Sequence, residues 1–387
     1  MEFSETLNRF GDEIFAALNE KKIRLEREGK TIYNLSVGTP DFEPPEHIRK
    51  AMAEAALKPE NWKYSLRDSD HLVQAVIAYY KKRFGVDLAP DEIQSCNGTQ
   101  DGLGHIGLVL LNKGDTILLP TPCYPVFITA ANMAGAEPWY YPMTAENNFL
   151  PKVSEIPEDV ARRAKAMVVS LPSNPMGSVG TPEVYKEIIA FAKKYDILVI
   201  HDNAYSDIIF DGAVGGSFLS YEGAKDIGVE FFSLSKSFNM TGVRVSFLVG
   251  RSDVVQAFRK LHTQVDFGMP YPTQEAAIAA LTGPLDSVKT QNLKYQERRD
   301  ALCGGLRSIG WDCLNSHGSM FVWAPIPPKF KSSMDFCLEL IEKAGVICTP
   351  GISFGPLGEG YVRFALVLPP EKIAEAVGAV KESGILD

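Results

Sequence analysis

The sequence has no long apolar run. Nothing in it approaches the ~18 uninterrupted apolar residues of a membrane-spanning helix. Residues 1–30 alternate charged and apolar positions and lack the apolar stretch of a secretory leader. A basic excess is missing too: 39 Lys and Arg stand against 48 Asp and Glu, a net charge of −9. That balance argues against nucleic acid as the main partner, while leaving room for a local basic patch that holds an anion. Cysteine is sparse. The six lie at positions 96, 123, 303, 313, 337 and 348 and form no C-x-x-C pair. Neither a zinc site nor a disulfide framework is expected; reduced, buried thiols in a cytoplasmic protein are. The six histidines show no metal-ligand spacing, so no metal is expected. There is no internal repeat and no low-complexity segment.

What is present is an ordinary globular composition, 45% hydrophobic and 22% charged, over 387 residues. That length suits about two domains and a sizeable core. Residues 1–29 read as helical, with Phe10, Ile14, Leu18 and Leu25 near helical spacing. Further helices are expected at 47–57 and 72–84, with a loop at 38–42. An alternation follows, with strands at 93–96, 116–119, 137–141, 166–171, 197–201, 231–234 and 246–249. Helices at 102–111, 126–134 and 182–195 fit between them. Short apolar runs alternating with amphipathic helices predict a mostly parallel, covered sheet. Past residue 274 the texture changes to a helix at 287–309, a strand at 319–324, a helix at 334–344, a strand at 361–366 and a last helix at 370–381. The fold class is α/β: a large domain over 46–285, and a smaller α+β domain built from 1–45 plus 286–387.

Ligands of open parallel sheets sit at the carboxyl ends of the strands. Four such ends carry polar groups. Lys236 lies in Ser233-Leu-Ser-Lys-Ser-Phe-Asn-Met-Thr-Gly-Val-Arg244, and Asp202 and Tyr205 in His201-Asp-Asn-Ala-Tyr-Ser206. Asn174 lies in Pro172-Ser-Asn-Pro-Met-Gly177, and Gly98-Thr99-Gln100 opens a helix. His201 adjoins Asp202, but neighbours along a strand point to opposite faces.

These elements, in this order and spacing, resemble the fold-type I, class I/II aminotransferases that use pyridoxal 5′-phosphate. The resemblance runs from Gly38-Thr-Pro-Asp41 to Tyr361-Val-Arg363. It implies that Lys236 forms a Schiff base with the cofactor aldehyde and, once released, carries a proton at the substrate Cα. Asp202 would sit against the pyridine nitrogen and keep it protonated. Asn174 and Tyr205 would hydrogen-bond the phenolic oxygen, and Tyr124 would stack on the ring. Gly98, Thr99, Gln100, Ser233, Ser235 and Arg244 would hold the phosphate at a helix N-terminus. Arg363 would grip the substrate α-carboxylate, and the Gly38 loop would close over it. Asn174 also reads as a turn residue, Tyr124 as a packed core aromatic and Asp202 as a cap.

The resemblance implies a homodimer in which Tyr64 reaches the neighbouring subunit's phosphate. The segment Tyr64-Ser-Leu-Arg-Asp-Ser-Asp70 departs from the pattern by lacking a glycine. Val243, Met176 and Asn203 replace a common tryptophan, threonine and glutamate, and none of these removes a group that the chemistry needs. Among relatives, the texture is closest to the LL-diaminopimelate, alanine and aromatic aminotransferases. Cys123-Tyr-Pro-Val-Phe127 with Asn132-Met-Ala-Gly135 leans to the first. The implied activity moves an amino group from an L-amino acid to a 2-oxo acid, with 2-oxoglutarate as the expected acceptor. A carbon–sulfur β-lyase on the same scaffold is a second reading. A cofactor-binding sensor domain is a third, disfavoured because no basic helix-turn-helix segment is present. Dedicated aspartate enzymes hold a distal carboxylate with an arginine some thirty residues past the lysine. Here that region reads Asp266-Phe-Gly-Met-Pro-Tyr-Pro272, without one; Arg24 and Arg67 are the other candidates for that role.

Overall fold

The computed structural model describes residues 1–10, 16–213 and 215–387. Its main element is a seven-stranded sheet formed by β1 (Ile93–Cys96), β2 (Thr116–Thr121), β3 (Glu137–Pro142), β4 (Ala164–Ser170), β5 (Leu198–Asp202), β6 (Gly228–Ser233) and β7 (Ser246–Gly250). The order is β1-β7-β6-β5-β4-β2-β3. β7 runs antiparallel to both neighbours, and the remaining pairs are parallel. Strands buried on both faces explain the continuous apolar runs. Pleating divides them: Met167, Val169, Val199 and Phe232 enter one core, whereas Val168, Ile200 and Phe231 enter the core on the opposite face.

A second, three-stranded antiparallel sheet has the order β9-β10-β8, from β8 (Phe321–Pro325), β9 (Thr349–Pro350) and β10 (Tyr361–Ala365). Its core joins Leu18, Leu25 and Leu35 to Leu302, Leu306, Phe336, Leu340, Phe364 and Ile373. A short parallel pairing of Tyr33–Asn34 with Val346–Ile347 ties the N-terminal segment to this unit.

The expected N-terminal helix is not continuous. A 3-10 turn spans Glu5–Arg9, Phe10 takes extended backbone and is exposed, and an α-helix covers Ala16–Arg27. The expectation for Ile14 lies outside the described residues. The helix expected at 102–111 begins earlier, at Thr99, and ends at Leu110. Glycines at 102, 104 and 107 weaken its propensity and interrupt its apolar pattern, but Gly98-Thr99-Gln100 marks its start. The strand expected at 231–234 ends at Ser233, and a single helical turn, Leu234–Ser237, carries the lysine. Two helices, Ser252–Val265 and Tyr271–Thr282, fall where the pattern gave no assignment.

Candidate active site

A cavity of about 430 Å³ opens at the carboxyl ends of the parallel strands, roofed by residues of the small sheet. It lies within the usual size range of small-molecule sites. Gly38, Thr99, Gln100, Tyr124, Asn174, Asp202, Tyr205, Ser233, Ser235, Lys236, Arg244 and Arg363 all line it. Gly98 lies just beneath the lining. Its φ of +86° suits glycine, and an added Cβ would clash with Arg244 Nη2. Tyr64 is absent from the lining of its own chain: it is 83% exposed, with its ring 5.9 Å from that of Phe267.

One end of the cavity is built for an anion. The helix Thr99–Leu110 points its N-terminus there, and the buried Thr99 hydroxyl has no hydrogen-bond partner. Arg244, held at φ +58°, donates Nη1 to the Thr241 carbonyl at 2.8 Å and lines the same space. Ser233 Oγ accepts from the Ser235 amide at 3.2 Å. Free donors, a guanidinium and a helix terminus converge as a phosphate requires.

The middle carries the titratable groups. Lys236 Nζ donates to the Gly38 carbonyl at 2.6 Å. Burial, then the charges of Arg363 and Arg244, lower the amine to about 8. Asp202 ends β5 on the sheet face opposite His201. Burial raises its carboxyl to about 6, against weak contacts from the Ala204 amide at 3.2 Å and Ser170 Oγ at 3.4 Å. It makes no ion pair among the described residues. His201 instead faces Glu230 and Tyr185, at 3.1 and 3.2 Å. Tyr205 is pushed up by burial and stays a neutral phenol. Tyr124 donates to Gln100 Oε1 at 3.2 Å.

At the far end Arg363, 7% exposed, lies with its guanidinium carbon 4.1 Å from the Phe321 ring centre and 4.7 Å from that of Phe354. It donates to Asn174 Oδ1 at 2.9 Å, the Ser36 carbonyl at 2.8 Å and Thr349 Oγ1 at 3.3 Å, while its Nε has no partner. Accepting from Arg363 turns the Asn174 NH₂ away from the arginine. Phe321, Thr349, Ser36 and Thr241 were not foreseen. Each is an apolar or small polar residue whose position, rather than type, matters, so sequence carries no signal for it. Ser353 also lines the cavity with an unpartnered hydroxyl.

The residues fit pyridoxal phosphate. Thr99 and Arg244 lack an anion, Asp202 lacks a cationic hydrogen donor, and burial lowers the Lys236 amine. The comparisons agree. The chain matches the family model for aminotransferase class I and II over residues 30–380. It is 40% identical over 387 residues to an LL-diaminopimelate aminotransferase of Halothermothrix orenii, covering 100% of this chain and 99% of that protein. A protein of the same name from Moorella thermoacetica is 41% identical over 368 residues, 94% of each chain. Among solved structures, substrate-bound BacF from Bacillus subtilis superposes with a TM-score of 0.94 at 36% identity, covering 99% of this chain and 98% of that one. The chain therefore belongs to the class I and II aminotransferases and is a pyridoxal-phosphate-dependent transaminase.

Proposed function

We propose that the enzyme takes the amino group of LL-diaminopimelate, or of another long, neutral or aromatic L-amino acid, and passes it to 2-oxoglutarate. Arg363 carries this reading: a buried guanidinium, facing the cavity, whose partners are all neutral. A substrate α-carboxylate completes it with a bidentate pair. The names of the relatives at about 40% identity support LL-diaminopimelate as donor. Against aspartate stands the run from Asp266 to Pro272, which has no arginine for a second carboxylate.

When bound, the cofactor supplies an aldehyde carbon that takes up amines and a protonated ring that draws electrons from the substrate Cα. The chain's own groups do the rest. Burial lowers the Lys236 amine to about 8, which eases release of its proton and suits it to move the proton at Cα. Asp202 would hold the proton on the ring nitrogen. Tyr205 and the Asn174 NH₂ would donate to the phenolic oxygen. Thr99, Gln100, Ser233, Ser235 and Arg244 would hold the phosphate, and the Gly38 loop would exclude water above Lys236.

The same reading makes the active enzyme a cytoplasmic homodimer. Exposed Trp62, Tyr64, Leu66, Val265 and Phe267 favour a partner subunit, towards whose phosphate Tyr64 extends. It also divides the chain into 46–285 and 1–45 plus 286–387; the packing of Leu18 and Leu25 against the C-terminal core favours that division. Steady-state comparison of LL-diaminopimelate, alanine, phenylalanine, methionine and aspartate as donors tests the substrate. LL-diaminopimelate should give the highest kcat/KM and aspartate the lowest. A preference for aspartate would reveal a distal carboxylate site and defeat the reading.

A further inference from the structure

Outside the cavity, the helix Thr99–Leu110 carries Asp101 and His105 one turn apart on a single face. The helix Ser252–Val265 brings His262 against them. His105 Nδ1 lies 3.0 Å from Asp101 Oδ1, and His262 Nε2 lies 3.9 Å from Asp101 Oδ2. Among the described residues this is the cluster whose ligand atoms all fall within 4.8 Å of one another. His262 is 3% exposed, and neither its Nε2 nor His105 Nδ1 has a hydrogen-bond partner among the described residues. Two buried ring nitrogens thus converge on one carboxylate without a bond to satisfy them, an arrangement that calls for a positive charge between them.

The surroundings suit a metal ion. His262 Nδ1 sits 2.8 Å from Asp266 Oδ1. A carboxylate this close behind the imidazole stands where metal-bound histidines have their outer partner, although it is not aligned for a hydrogen bond here. Two imidazole nitrogens and one carboxylate suit Zn²⁺, Co²⁺ or Ni²⁺ and not Mg²⁺ or Ca²⁺. Metal–ligand distances of about 2.0–2.1 Å place tetrahedral donors roughly 3.3 Å apart, so small side-chain rotations close the set, with water in the fourth position. Partial exposure of His105 gives an entry path.

We propose that Asp101, His105 and His262 bind one divalent transition-metal ion, clamping the helix that begins at the cavity to the helix that leads into Asp266. The proposal stands apart from the substrate assignment, because none of the three residues lines the cavity. The test uses untagged holoenzyme, dialysed free of chelator and excess cofactor, alongside its His262→Ala and His105→Ala variants. Calorimetric titration with Zn²⁺ should give one ion per chain in the wild type and at least tenfold weaker binding in each variant. Co²⁺ should develop ligand-field absorption, and the thermal midpoint should rise with Zn²⁺, only in the wild type. Mg²⁺ should do neither. Metal-free turnover within twofold of wild type shows that a variant has folded; should His262→Ala fail this, the more exposed His105→Gln carries the same test. Absence of Zn²⁺ uptake by the wild type, or equally tight uptake by a folded variant, overturns the proposal.

Discussion

Arg363 and Arg299 are both buried, at 7% and 1% exposure, yet the chain treats them in opposite ways. Arg299, on the helix Asp286–Ser308, reaches Asp211 at 2.7 and 3.2 Å, Asp300 at 2.6 Å and the Ser316 carbonyl at 2.8 Å. Burial pulls it down, but these carboxylates outweigh burial and hold it above its ordinary value. Its neighbour Arg298 binds Asp41 bidentately, at 2.6 and 2.7 Å. Arg363 has neutral oxygens alone, and burial lowers it to about 10. A buried cation without its counter-charge is costly. A fold that supplies carboxylates to two arginines and leaves a third among neutral oxygens fits the proposal that the third receives a carboxylate from outside. Asp202 and Lys236 repeat the pattern: each is buried in the cavity without an ion pair among the described residues.

The largest test of that contrast is Lys236→Ala against Lys225→Ala, since Lys225 is already paired with Glu92 at 2.7 Å. The first should lower transamination roughly 10⁴-fold, losing both the covalent anchor and the proton carrier. The second should stay within about twofold, as Lys225 does not line the cavity. Borohydride reduction and peptide mapping should place the cofactor on Lys236. Near-wild-type turnover in Lys236→Ala would remove the lysine from the chemistry.

Asp202→Asn should cost about 10²-fold in kcat, the scale of one buried charge-assisted contact. Asn203→Ala, one residue on, should affect kcat little. The Asn203 side chain points to the Gly216 carbonyl at 2.9 Å and serves the loop rather than the cavity. Equal losses at the two positions would mean that the β5 terminus is structural throughout.

The cavity's polar end was legible because its chemistry restricts residue type. Only lysine offers the amine, a carboxylate must meet the ring nitrogen, and glycine must sit at 98 beneath Arg244. The sheet was legible from its apolar runs. Less was legible where position outweighs type: Phe321 and Thr349 are ordinary core residues until Arg363 is placed between them. The helices Ser252–Val265 and Tyr271–Thr282 pack by contacts that no short motif marks, so the meeting of His262 with Asp101 and His105 was invisible. Tyr64 shows a different limit, since the interface that would explain its exposure involves a second chain.

Unpaired charge also predicts a pH signature once the cofactor has been resolved from the enzyme. Lys236 falls from 10.5 to about 8 on folding, so between those values the folded chain has released a proton that the unfolded chain keeps. Stability therefore rises with pH across that window, by at most roughly 3 kcal/mol. Asp202 rises from 3.8 to about 6, so the folded chain retains a proton that the unfolded chain has lost. Stability falls as pH rises through that window, by at most roughly 3 kcal/mol. Together they place the weakest region of the cofactor-free chain between about pH 6 and 8. Thermal midpoints from pH 4 to pH 10 should show this trough, shallower in Lys236→Met on its alkaline side and in Asp202→Asn on its acidic side. Superimposable profiles in the three proteins would show that these charges are satisfied in ways their surroundings do not suggest.

The two arginines give the smallest effect and the sharpest separation. Arg363→Ala should lower kcat/KM for every amino acid and 2-oxo acid by about 10- to 100-fold, the worth of a charge-assisted bidentate contact of ~1.5–3 kcal/mol. Its thermal midpoint should hold or rise, because the change removes an unpaired buried cation. Arg363→Lys should recover only part of the loss, since an ammonium lacks the planar fork. Arg299→Ala should do the reverse. It strips two carboxylates and the Ser316 carbonyl of their donor and should cost about 2–3 kcal/mol of stability. The folded fraction should keep kcat/KM within twofold. Denaturant melts and steady-state kinetics on the same preparations place each variant on both axes. If Arg363→Ala destabilises as much as Arg299→Ala while its kcat/KM is unchanged, then both arginines are framework, and the carboxylate site lies elsewhere in the cavity.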